Sequence, residues 1–88
     1  MATWIKTNEA IAVEPKNGKD FKLDELQKFV GGYIEIVQLN RDMIMVCNEE
    51  GKLMGLPFNP TASILLMTAR RNDYIAGDVL VCKSSEVL

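Results

Sequence analysis

Histidine is missing altogether from the 88 residues. With it goes the side chain that most often serves as general base and as a nitrogen ligand for zinc. Cysteine is scarce: Cys47 and Cys82 stand far apart, without a C-x-x-C pair. Neither a disulfide framework nor a zinc knuckle is expected, and no metal or cofactor. Each thiol closes a short apolar run, Met43 to Cys47 and Val79 to Cys82, which reads as a buried strand cysteine. Positive charge is short too. Ten Lys and Arg face twelve Asp and Glu, for a net charge of -2. Without a surplus of Lys and Arg to neutralise a phosphate backbone, non-specific nucleic-acid binding is not expected. Long apolar runs are absent: the longest, Ile64-Leu65-Leu66-Met67, falls far below the roughly 20 residues of a membrane span. The start, Met1-Ala2-Thr3-Trp4-Ile5-Lys6, lacks the apolar stretch of a signal peptide. A cytoplasmic protein with no membrane association is expected.

What is present is a globular composition, 48% hydrophobic and 25% charged. One domain over 1–88 is expected. Size scaling gives about 5,200 Å² of folded surface against roughly 14,000 Å² unfolded, enough for one core with little margin.

The first strand pattern is Ala10 to Glu14, followed by a Pro15-Lys16-Asn17-Gly18 turn. Leu23, Leu26 and Val30 repeat at helical spacing and predict a short helix over 23–30. Phe21 and Leu26 have hydrophobic-staple spacing, Asp24 and Glu25 suit the first turn, and Gly31-Gly32 ends the helix. Tyr33 to Leu39 and Met43 to Cys47 predict a hairpin around Asn40-Arg41-Asp42. Asn48-Glu49-Glu50-Gly51 is a further turn, and Lys52 to Leu56 a short strand. Asn59-Pro60 starts a second helix, running to about Ala69. Ile75 to Lys83 is the last strand, and 84–88 a mobile tail. The order predicts an α+β domain with a mainly antiparallel sheet and two short helices, in a ferredoxin-like or a small curled-sheet arrangement. On the strand Met43 to Cys47 both faces are apolar. The sheet must be covered on both sides, by helices or by another subunit, and a homo-oligomer is expected.

Several segments together resemble a known family. They are Val13-Glu14-Pro15, Leu26-Gln27-Lys28-Phe29-Val30-Gly31-Gly32-Tyr33-Ile34-Glu35 and Val46-Cys47-Asn48-Glu49-Glu50-Gly51-Lys52-Leu53. Gly55-Leu56-Pro57-Phe58-Asn59 and Ile75-Ala76-Gly77-Asp78-Val79-Leu80-Val81 complete the match. Over 11–83 the chain resembles the domain-of-unknown-function 3846 family of bacteria, phages and mobile elements. The resemblance implies no enzyme activity. It implies a small accessory protein of phage type, acting in the host cytoplasm. Residues around Trp4 lie outside the matched segments and are left unassigned.

Candidate binding residues fall in loops and at element ends. In the turn 48–51, Asn48 is placed to bind a ligand, though a solvated hairpin turn needs the same residues. Tyr33 offers a stacking ring. Glu35 beside it offers a carboxylate for a nucleobase or sugar edge, or else simply faces solvent. Asn59 and Thr61 open a helix whose free amides suit an anion, or serve as an ordinary cap. Lys52, Arg70 and Arg71 are phosphate partners, the two arginines alternatively serving the negative end of a helix dipole. Trp4 and Tyr74 are further stacking rings. No activating partner stands beside either cysteine, and Glu49 and Glu50 diverge as neighbours, so no catalytic residue is expected. The expected function is non-enzymatic binding of a small ligand by a homo-oligomer. With the phage-type resemblance, its concrete form is a counter-defence sponge that sequesters a nucleotide immune signal. The alternative is an inhibitor or adaptor that binds a host protein through an apolar sheet face.

Overall fold

The computed structural model describes residues 2–69 and 72–87. Seven elements follow in chain order: β1 (Ala2–Ile5), β2 (Ala10–Val13), α1 (Leu23–Val30), β3 (Ile34–Gln38), β4 (Met43–Asn48), α2 (Pro60–Thr68) and β5 (Val79–Lys83). The strands form one sheet in the order β2-β1-β5-β4-β3, and every neighbouring pair is antiparallel. The sheet is curled and unclosed, with β2 and β3 as its edges. The chain is therefore α+β, and the curled sheet is the arrangement it adopts. A ferredoxin-like fold needs a split βαβ unit with parallel strands, and these ladders contain none.

Alternation along the strands explains the two apolar faces of β4. Ile44 and Val46 point to the side where Phe21, Leu26 and Val30 pack, joined by Ala2, Leu80 and Cys82. Met45 and Cys47 point the other way, to Ala62 and Leu66 of α2, with Ile5, Ile75 and Val79. One helix covers each face, because successive strand side chains point to opposite sides. The two-faced strand is thus covered within one chain, and it no longer argues for a second subunit.

Each helix is set by its ends. Glu25 turns back so that its carboxylate accepts from the Lys22 amide at 3.5 Å and the Lys16 amide at 3.3 Å. Phe21, just before the cap, is buried with Leu26 as the staple spacing requires. Gly31 closes α1 at φ 78°, where a side chain would be strained, and its amide reaches the Gln27 carbonyl. The buried face of α1 is Glu25, Leu26 and Val30. Leu23, expected on that stripe, is exposed, since it starts the helix ahead of the first packed turn. At α2 the Asn59 side chain accepts from the Ala62 amide and Pro60 takes the first helical position.

Four sequence expectations change. The unassigned N-terminus is β1, a strand between β2 and β5. It was obscured because only four residues, Ala-Thr-Trp-Ile, carry it. Lys52 to Leu56 is not a strand but a run of turns, closed by Met54 N to Glu50 O at 2.8 Å and Leu56 N to Gly51 O at 3.0 Å. That segment has no β-branched residue to favour extension. The last strand starts at Val79, not Ile75, because Gly77 at φ 96° breaks the extended run and donates to the Pro57 carbonyl. Residues 84–87, read as a tail, form a 3-10 turn over Ser84–Glu86. Val87 then bridges to Phe21 and packs on the α1 core. Among the described residues no helix is long and apolar enough to cross a membrane.

Candidate functional site

Three segments converge beyond the β3 edge on the α2 side of the sheet: Glu35 and Val37 of β3, the turn after β4, and residues 73–76. They enclose a cleft of about 340 Å³. Its polar lining is Glu35, Asn48, Glu49, Lys52 and Asp73, and its apolar floor includes Cys47, Leu66 and Ile75. Tyr74 supplies an aromatic wall.

Local chemistry builds each wall. Register places Glu35 opposite Cys47. At the end of β4, the buried Asn48 amide group donates to the Val30 carbonyl at 3.1 Å, and its oxygen accepts from the Glu50 amide at 2.8 Å. This pins the turn that carries Lys52 to the end of α1. Gly51 then lies so close to residue 76 that a Cβ on it would stand 2.5 Å from the Ala76 carbonyl oxygen. The two loops of the cleft can meet only because that position has no side chain. Asn59 fixes the opposite end. Fully buried, its amide group donates to the carbonyls of Ile5 at 3.0 Å and Gly77 at 2.9 Å, and its own backbone N–H reaches Ile75. Ser63 accepts from the Ile75 amide at 2.9 Å, holding residues 73–76 against α2.

Lys52 donates to the Asp73 carboxylate, and its ammonium lies 4.3 Å from the centre of the Tyr74 ring. The Asp73 hydrogen bond raises the Lys52 pKa above its ordinary value. The same bond, with the Tyr74 amide as second donor, lowers that of Asp73. Cys47 donates weakly to the Glu35 carbonyl at 3.6 Å. Burial pushes its thiol up to about 11, helped by the negative charges of Glu35 and Asp73. At neutral pH it is a protonated, weakly nucleophilic group.

Of the eight residues singled out from sequence, Glu35, Asn48 and Lys52 come together in this cleft. Asn48 spends its side chain on the chain itself. Asn59 does likewise, its cap oxygen and both amide protons taken up inside the fold. Thr61 is exposed in the first turn of α2 and does not line the cleft. Tyr33, 68% exposed, borders a separate shallow depression with Gly31, Gly32 and Met54. Arg70 and Arg71 lie outside the described residues. Trp4 is committed elsewhere: its indole N–H donates to the Phe29 carbonyl at 3.0 Å and its ring packs edge-on against Phe29. Asp73 was missed, although its polar neighbourhood, Asn72-Asp73-Tyr74 after a helix, marks a loop where ligand groups gather.

A larger depression, about 440 Å³, lies by Trp4, Val13, Glu25 and Phe29. There the Trp4 donor is taken by Phe29 and the Glu25 carboxylate by two backbone amides, while Glu14, Lys16 and Lys28 line its exposed rim. In the cleft at Tyr74 the ring is exposed, and Lys52 and Asp73, though paired with each other, both stand partly open to solvent beside it.

No curated protein and no solved structure matches the chain. The profile of one family, described as a domain of unknown function (DUF3846), matches residues 5–87. That match takes in the end of β1 and the 3-10 turn, beyond the segments quoted from sequence, and nearly the whole chain lies within it: the protein belongs to this family.

Proposed function

We propose that the protein is a non-enzymatic binder of a small nucleoside-like ligand, held in the cleft between Glu35, Lys52 and Tyr74. The observation that carries this reading is the grouping of one exposed aromatic ring, one ammonium and flanking carboxylates around 340 Å³. A base stacks on an aromatic face whatever its identity. A carboxylate accepts from ribose hydroxyls or an exocyclic amine, as acidic residues do in dinucleotide sites. An ammonium meets a phosphate as a point charge. Glu35, Glu49 and Asp73 outnumber Lys52 in the lining, so the site suits a ligand with a single phosphate better than a polyphosphate. A protonated, buried Cys47 supports binding without turnover. Sequestration of a nucleotide signal, the phage-type reading, is the biological form this binding would take.

Isothermal titration with a panel of nucleosides and linear and cyclic nucleotides tests it. Binding by at least one member is expected, weakened about tenfold or more by Tyr74→Ala, the usual worth of a stacked base. No heat from any member, with folded protein, would remove the reading. The alternative of a protein-binding inhibitor or adaptor has one observation in its favour, exposed apolar surface. That surface includes the outer side of α2 and Ile36 on the edge strand β3.

A further inference from the structure

Helix α2 carries no charge on any side, and its large side chains are all apolar. Its sequence, Pro-Thr-Ala-Ser-Ile-Leu-Leu-Met-Thr, has no charged residue. A helix hydrophobic all round belongs in an interior. Here only one side is buried, through Ala62, Ser63 and Leu66. On the other, Ile64 is 61% and Met67 66% exposed. Phe58 and Tyr74, whose rings stand 6.1 Å apart, are exposed beside the start of the helix and the strand segment bonded to Ser63.

We propose that this surface is the interface of a two-fold homodimer, with the α2 helices of two copies packed antiparallel and Ile64 nearest the axis. Three facts select a second copy as the occupant. The first is area. Phe58, Ile64, Met67, Tyr74 and the 88% exposed Leu53 present roughly 600 Å² of apolar surface, the top of the range for a monomer. Two copies bring together about 1,200 Å², the lower bound of a stable interface. The second is charge. An uncharged helix offers nothing to an acidic or basic partner, and it can lie against its own copy without like-charge contact. The third is symmetry. Ile64 is the middle residue of Pro60–Thr68, so a two-fold axis through it pairs the whole exposed row with itself, as an isologous interface requires. Tyr74 and Leu53 also line the cleft, so the second copy would border its mouth.

Sedimentation equilibrium of the full chain, without ligand, tests the dimer independently of nucleotide binding. The expected mass is twice 9.9 kDa for the wild type and that of a single chain for Ile64→Glu. Far-UV circular dichroism checks that this variant folds. Ile64→Cys gives a second reading. Both native thiols are buried, so mild oxidation should link two copies through the new cysteine alone. A wild type that sediments as one chain overturns the proposal. So does a folded Ile64→Glu that stays dimeric, or a dimeric Ile64→Cys that does not cross-link. Should Ile64→Glu fail to fold, the cross-link decides.

Discussion

Asn59 shows how much a single polar side chain can organise. It caps α2, and it also ties the end of β1 to the loop before β5 by donating to the Ile5 and Gly77 carbonyls. Asn59→Ala removes the cap and both buried long-range hydrogen bonds. A loss of about 3 kcal/mol is expected in urea unfolding, about 1 for the cap and about 1 for each buried hydrogen bond. The helix start was legible in Asn-Pro. The two long-range bonds were not, because nothing local in a sequence says which carbonyls a buried amide will meet. The thiols make a second residue-scale prediction. Cys47 and Cys82 are both pushed from 9.0 to about 11, chiefly by burial. The folded chain keeps protons that the unfolded chain releases, so their contribution is whole below pH 9 and is lost as pH climbs from 9 to 11. Stability should fall by a few kcal/mol over that window. Replacing both cysteines by alanine should remove this extra slope in pH-dependent denaturation, and an unchanged slope would contradict it.

At the level of elements, short-range signals were read well and register-dependent ones poorly. The helix at 23–30 has a staple, acidic first turn and glycine stop, and it stands where these place it. The hairpin of β3 and β4 likewise follows from two β-branched runs and the Asn40 turn, whose side chain accepts from the Asp42 and Met43 amides. β1 escaped because a four-residue strand carries too little alternation to be seen, yet it pairs with both β2 and β5. Its place inside the sheet makes a clear prediction. Removing residues 2–5 strips β5 of a partner and leaves β2 with none. The truncated chain should lose dispersed amide resonances and cooperative unfolding, whereas a truncated chain that folds would show β1 to be dispensable. The cleft was half legible for a related reason. Glu35, Asn48 and Lys52 lie in segments that the hairpin brings near each other. Asp73 and Tyr74 arrive from beyond α2, through the Ser63 bond and the side-chain-free contact at Gly51, and no periodicity announces such a meeting.

Taken whole, the molecule is an antiparallel sheet with one helix on each face, and the two apolar faces of β4 are satisfied by that sandwich. The same two-faced pattern had pointed to a second subunit, because alternation reports only that a face is covered and not what covers it. The unspent apolar surface turns out to lie one layer further out, on α2. The candidate site sits at the rim of this layer, where an edge strand and two loops leave a ring and charges open beside a neutral thiol. A two-dimensional amide NMR titration of the full chain with the nucleoside and nucleotide panel addresses that placement directly. Shifts concentrated at residues 35, 47–52 and 73–76 are expected for the ligand that binds. No shifts with any member, or shifts confined to the surface around Trp4 and Phe29, would contradict the assignment of the cleft.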